Sequence, residues 1–308
     1  METESTREPK RTRPRRRHSR FGSWQLVAMA FPAIVFVVVF AYVPMYGIQI
    51  AFREFDPTTG LTGGRFVGLT YFAQFIHSPV FVNIITNTFR ISLGTLILGF
   101  FAPIGLALLI NQIGGVRIKG FVQTITYMPH FISTVVIVSM LNIFLDPQSG
   151  LLGRFMGSSS LLASPDAFAP IYWISEIWQH TGWNAIIYLA ALSAVDVSLY
   201  EAAKMDGAGR LQLVRYVDVP TIMPTCVILL IMNMGSVLSV GFEKVWLMQN
   251  ALNLPASEVI STFTYRIGIQ SYQFSYGTAI GLFNTLVNFV FLVIANALSR
   301  RVSDTSIF

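Results

Sequence analysis

Six long apolar runs, set apart by polar and turn-rich stretches, divide the sequence. They cover about Trp24 to Ala51, Val82 to Ile113, Phe121 to Leu145, Ile171 to Ala194, Thr221 to Val240 and Tyr276 to Leu298. Each reaches at least the roughly 20 residues a helix needs to cross a hydrocarbon core. Pro32 and Pro44 mark kink points in the first run. Between runs, "DPQSGLLGRFMGSSSLLASPDAFAP" is rich in Ser, Gly and Pro and reads as loop. The stretch after the first run predicts a short amphipathic helix near Tyr71 to Ile76, lying at a membrane interface. No interval is long enough for a soluble domain with its own core. The expected fold class is therefore an all-α membrane protein with six transmembrane helices. Residues 1–22 form a separate tail and residues 23–308 the transmembrane domain.

Composition agrees. The 308 residues are 53% hydrophobic and 12% charged, against about 25% charged in soluble domains. Glycine, at 23 residues, suits close helix approach in a bilayer. The lone cysteine, Cys226, sits in an apolar run, which rules out an internal disulfide and reads as a small buried residue.

Charge sets the orientation. Eight of the 21 Lys and Arg fall in the first 20 residues. Such a block can touch nucleic acid, but a long apolar run follows directly. The better reading is a cytosolic juxtamembrane tail facing anionic lipid, with no nucleic-acid partner. The run is too long for a signal-peptide core and reads as an uncleaved anchor. With the N-terminus inside, Arg117, Lys119, Lys204, Arg210, Arg215, Arg300 and Arg301 join the tail on the cytosolic side. Arg53, Arg65, Arg154, Lys244 and Arg266 lie outside, and Arg90 near the outer end of the second run. The excess of inside basic residues places both termini, and the segment from Glu201 to Pro220, in the cytosol.

That segment, "EAAKMDGAGRLQLVRYVDVP", is the most polar in the second half of the chain. Ser198 and Glu201 stand at capping-box spacing. A short helix is expected through Met205, ended by Gly207 or Gly209. Leu211, Val214 and Val217 predict an amphipathic turn. Pro220 is expected in the first turn of the next span, where its missing amide costs nothing. Alanine and glycine on the short helix give it no core of its own but let it sink into a groove on a partner. Glu201 and Asp206 supply charges for that partner.

The residue identities go further. Glu201, Ala202, Ala203, Asp206, Gly207, Ala208 and Pro220 resemble the EAA motif of ABC-importer permeases, E-A-A-x-x-D-G-A followed by an apolar stretch and proline. Seven such identities coincide at a given site by chance on the order of once in 10⁸. "YVPMYGIQIAF", "EIWQHTGWNAIIYLAAL" and the C-terminal "FSYGTAIGLFNTLVNFVFLVIANALSRRVSDTSIF" are similar to the carbohydrate branch, near the maltose-importer permeases. The resemblance covers nearly everything after the tail. It implies an inner-membrane permease subunit that moves an oligosaccharide or polysaccharide fragment into the cytoplasm by alternating access. The motif helix would then be the coupling helix between spans four and five. The implied partners are a second, paralogous permease, two ATPase subunits and an extracytoplasmic solute-binding protein.

Other chemistry is sparse. No Lys follows a Gly, so G-K-[ST] cannot occur and this chain has no Walker A. ATP and Mg would sit on the partner ATPase, and this chain would bind no cofactor and perform no catalysis. The histidines His18, His77, His130 and His180 form no H-E-x-x-H pair, and no metal site is expected. Glu176 and His180 share a helix face, either as functional groups or as groups reaching the headgroups. Candidates for a sugar path are Trp183, Asn184 and Tyr188 in the fourth span, Asn233 and Ser236 in the fifth, and Asn284 in the sixth. Trp178 and Asn288 share the pattern. Taken singly, each suits a helix–helix hydrogen bond or an aromatic belt better than a sugar path; Asn233 and Ser236, three apart in the span after the polar segment, are the strongest path candidates. The rival class is an ion-gradient-driven secondary transporter, which would need intramembrane relays. Only Glu176 and Arg90 offer charge within spans. A membrane enzyme would need clustered catalytic groups, and none are present.

Overall fold

The computed structural model describes residues 20–61, 63–150 and 161–302, with side chains from Trp24 to Ala297. The basic tail up to residue 19, Arg154 and the last six residues lie outside this set, so the readings placed on them stay expectations. The described residues form helices and loops without a strand. Two isolated bridges, Arg53 with Phe66 and Asp56 with Gly60, close the turn after the first span. The chain divides into two units, residues 1–49 and 50–308.

The first unit is helix α1, Arg20–Val37, prolonged through a π turn, Val38–Tyr42, and Val43–Met45. Pro32 is accommodated inside the helix. The irregularity appears instead just ahead of Pro44, where the Val43 amide reaches back five residues to the Val38 carbonyl. A wider turn before a proline makes room for a ring that brings no amide hydrogen.

In the second unit the elements are α2 Thr70–Ile76, α3 Phe81–Asn111, α4 Val116–Tyr127, α5 Thr134–Phe144, α6 Pro165–Ser193 and α7 Val197–Met205. They continue with α8 Arg210–Met234, α9 Phe242–Met248, α10 Leu254–Ser257, α11 Ile260–Tyr265 and α12 Phe274–Val302. α2 matches the expected interfacial helix in place and length. Among the described residues, four helices are long and apolar enough to cross a membrane: the run from Trp24 to Phe52, α3, α8, and α12 to Ala297. The count rises to six if two bent pairs each serve as one span.

Three expectations need correction. The third run is not one helix: α4, continued to Phe131, meets α5 at 94°. Pro129 sits in the 3₁₀ turn between them, and the Ser133 hydroxyl restarts the chain by accepting from the Val136 amide. The fifth span begins at Arg210, not Thr221, and ends at Met234. Pro220 keeps its expected place in the first turn of the α-helical stretch Val219–Met234, but helical backbone already runs into it from Arg210. A second π turn, Val214–Asp218, precedes it, with the Val219 amide bonded to the Val214 carbonyl. The arrangement before Pro44 is repeated. Third, Lys244 is no loop residue, as described below.

The core follows helix pairing. α3 lies along α6, and a methyl group at Gly94 would fall inside the Trp173 indole. The Trp173 Nε1–H donates to the Ile91 carbonyl at 3.0 Å, fixing the approach that Gly94 permits. Ile91, Phe168, Tyr172, Val245 and Val259 form one buried cluster. Ala107, Ile110, Ala185, Tyr188, Ile222 and Cys226 form a second, which confirms Cys226 as a small buried residue. Phe75, Ile84, Ile260, Phe263 and Ile280 form a third beneath α2.

Candidate functional site

α7 leaves α6 at 74°. Its N-cap is Asp196, not Ser198: the Asp196 carboxylate accepts the Ser198 amide at 2.9 Å. The Ser198 amide, followed by its hydroxyl, holds the Asp196 carboxyl below the usual carboxylate range. The capping box therefore does not form, although the helix starts within two residues of the expected place. Its end is as the sequence predicts. Gly207 has φ +79, the left-handed conformation that glycine adopts without strain. The Ala208 amide reaches the Ala203 carbonyl at 2.9 Å and the Gly207 amide the Lys204 carbonyl at 3.0 Å, the paired bonds of a Schellman stop.

This geometry presents a free face. Glu201, Ala202, Asp206 and Gly207 are exposed. Among the described residues, no hydrogen bond or ion pair engages the Glu201 or Asp206 side chains. Met205 at 88% and Leu211 at 81% exposure flank them. Apolar side chains this open beside unpaired carboxylates suit a protein contact.

The other end of α8 borders a cavity of about 350 Å³ lined from α3, α6, and the segment from Asn233 to Gly241. Its polar groups include Ser92, Thr95, Glu176, His180, Asn184 and Asn233, with Ser236 and Ser239 beside them. Of the expected sugar-path residues, the structure brings together Asn184, Asn233 and Ser236. It does not bring in the rest. Tyr188 is buried in the apolar cluster around Cys226. Trp183 stacks on His130, 4.6 Å between centroids and 4° between planes. Asn284 lies off the lining with a buried, unpartnered Oδ1. Asn288 binds the Leu238 amide at 2.9 Å and Ser239 at 3.2 Å, so it shapes the wall from behind.

Glu176 and His180 face this cavity rather than headgroups, 3.3 Å apart. Lys244, expected in an outer loop, is only 3% exposed and donates to Glu176 at 2.8 Å and to Gln179 at 3.3 Å. A buried ammonium survives only when paired, and here Glu176 and the Tyr172 ring supply the pairing. Beyond α9, a second cavity of about 360 Å³ is bordered by Trp246, Gln249, Asn250 and Arg266. Arg266 holds Glu258 at 2.9 Å; burial raises the Glu258 carboxyl above its ordinary value, and Arg266 offsets only part of that rise.

Sequence reasoning missed two residues. Lys244 was hidden by its place just past an apolar run. Asp218 is fully buried within the π turn of α8, and its only signal was an acidic residue between two valines before Pro220. No group of three or more potential metal ligands occurs among the described residues.

A loop shaped to engage a partner at one end of α8 and a polar cavity at the other are the parts of a transport subunit. Residues 96–304 match the family described as "Binding-protein-dependent transport system inner membrane component". The chain belongs to that family. It is a multi-pass inner-membrane permease. It is 40% identical over 288 residues to the polygalacturonan/rhamnogalacturonan transport system permease protein YteP of Bacillus subtilis strain 168, covering 92% of this chain and 90% of that one. It is 36% identical to the protein LplB of the same organism, over 92% and 91% of the two chains. Among solved structures, this permease superposes with a TM-score of 0.84 and 36% identity on a chain of a bacterial ABC transporter that imports the acidic polysaccharide alginate. That match covers 92% of this chain and 97% of the other. A bacterial alginate ABC transporter has also been solved with its periplasmic protein bound to an alginate pentasaccharide, and its matching chain superposes equally well.

Proposed function

We propose that this permease carries an oligosaccharide or polysaccharide fragment into the cytoplasm as one membrane subunit of an ATP-driven importer. The observation that carries the reading is the free face of α7, held at 74° to α6 by a cap at each end. Glu201, Ala202, Ala203, Asp206, Gly207 and Ala208 form the contact with an ATPase, and α8 with Pro220 takes up the motion. α6 and the bent pair of α4 and α5 then count as one span each, giving six, with both termini and the coupling loop, α7 included, cytosolic. The complex holds a second, paralogous permease, two ATPase subunits that bind ATP and Mg, and a solute-binding protein on the outside. The sugar passes the polar cavity, with Asn184, Asn233 and Ser236 as hydrogen-bonding groups. Relatives named for polygalacturonan and alginate support a substrate built from uronic acids.

An ion-gradient mechanism needs a titratable group free to relay, and Glu176, the carboxylate on the cavity, is already paired with Lys244. The deciding experiment is uptake of a labelled oligogalacturonide into vesicles carrying the co-purified complex. Uptake that requires ATP and the binding protein supports the proposal. Uptake by the permease alone, driven by a proton or sodium gradient, refutes it.

A further inference from the structure

Asp218 is completely buried, and no role in coupling or transport described so far employs it. It sits in the last position of the π turn of α8. The Tyr200 hydroxyl of α7 donates to its Oδ1. Asn111 Nδ2, at the end of α3, donates to the same oxygen at 3.3 Å and to the Tyr200 oxygen at 3.3 Å. Gln112 Nε2 donates to Oδ2 at 2.8 Å. One carboxylate thus joins three elements: the coupling helix, the end of α3 and the start of α8.

The π turn makes this possible. Leu213, Asp218, Ile222 and Cys226 are the buried positions along this stretch. Their spacing is five, then four, then four. In an uninterrupted helix of about 3.6 residues per turn, a step of five leaves the face. The wider turn returns Asp218 to it, and Pro220 favours that turn by withholding an amide. A charge buried this deeply is tolerated only because neighbouring donors surround it, so the three elements cannot separate one at a time without exposing or orphaning it.

The two elements tied to α7 are also walls of the cavity. α3 contributes Ser92, Thr95, Gly99 and Pro103, and α8 contributes Asn233, about 22 Å along the helix from Asp218. We infer that Asp218 is a positioning residue. It latches the coupling helix to α3 and α8 through Tyr200, Asn111 and Gln112, so that one displacement of α7 reaches two walls of the sugar path together. This rests on the coupling role proposed above for α7.

The test uses the whole complex, with its ATPase subunits, partner permease and binding protein, reconstituted into vesicles. Tyr200→Phe, Asp218→Asn and the double variant are compared by sugar imported per ATP hydrolysed. A latch predicts at least a roughly tenfold fall for each single variant and no fall in the double beyond that of Asp218→Asn, because either single change already breaks the Tyr200–Asp218 link. A merely structural role would lower complex yield and leave the ratio untouched. Unchanged ratios in the single variants, or losses that multiply in the double, overturn the latch. If Asp218→Asn yields no complex, Tyr200→Phe decides alone, since it removes one hydroxyl. A wild-type complex that imports without ATP would instead overturn the coupling reading itself.

Discussion

On the outer face of α7, by one end of α8, the chain exposes charges: Glu201 and Asp206 are unpaired and the flanking Met205 and Leu211 stand open, with Asp218 buried behind them. At the other end it buries them, with Lys244 locked between Glu176, Gln179 and the Tyr172 ring. The first region, the exposed face of α7, is shaped by local backbone devices, an Asp196 cap and a left-handed Gly207, and leaves its carboxylates open for the proposed partner, while Tyr200 ties the helix to the buried Asp218. The second is held by side chains from elements about 68 residues apart in sequence and keeps its backbone out of the way. A contact surface must be shaped before the partner arrives. A sugar path must be polar without leaving any charge unbalanced.

The contrast breaks most sharply at Lys244. Lys244→Met leaves Glu176 without its ammonium and should cost about 3 kcal/mol of stability, read as a lowered thermal midpoint of the purified permease. Pairing it with Glu176→Gln should restore most of that loss. A cost of about 0–1 kcal/mol would mean that the pair behaves as a surface one.

Gly207 gives the next effect. Nothing within 4 Å would meet a Cβ there, so the cost of Gly207→Leu is conformational, about 1–2 kcal/mol. The strain falls on the loop alone. Membrane levels should match the wild type while uptake drops roughly tenfold, a change worth about 1.4 kcal/mol. Normal uptake in that variant removes the loop from the coupling path.

Within the cavity, Asn184→Ala should raise the uptake KM about fivefold, the worth of one net hydrogen bond. Tyr188→Phe, one helical turn on in α6, should leave KM unchanged because Tyr188 packs among apolar groups. Equal effects from both would erase the distinction between lining and core.

The smallest effect concerns the cap. Asp196→Asn keeps an acceptor for the Ser198 amide and should preserve coupling; Asp196→Ala should weaken it. The folded carboxyl titrates below its unfolded value of about 3.9. Its capping contribution is therefore complete above that value and fades as pH falls through the lower folded one, whereas an asparagine cap does not titrate. A pH titration of α7 helicity that is the same for the wild type and the Asp196→Asn variant would contradict this.

The same contrast explains what could be read from sequence. α7 was legible because cap, helix and stop lie within about a dozen neighbouring residues, and Gly207 performs the expected role. The cap itself was misplaced by two residues because Asp196 and Ser198 both suit an N-cap, and only the backbone decides between them. α3 and α12 were legible as unbroken apolar runs. The break at Pro129 was obscured by apolar residues on either side, and the early start of α8 because a π turn lets a helix pass Pro220. The roles of Lys244 and Asp218 were not legible, since each is defined by partners on other helices. The fold does place Asn184, Asn233 and Ser236 on one cavity, while Tyr188 and Trp183 pair with other side chains.

The most direct measurement is photo-cross-linking from Ala202, an exposed position on the free face of α7, in the intact complex. The account predicts a single adduct between this permease and the ATPase subunit, formed at Ala202 and lost when the Gly207→Leu change distorts the loop. Vigorous ATP-dependent uptake with no ATPase adduct from Ala202 would contradict it.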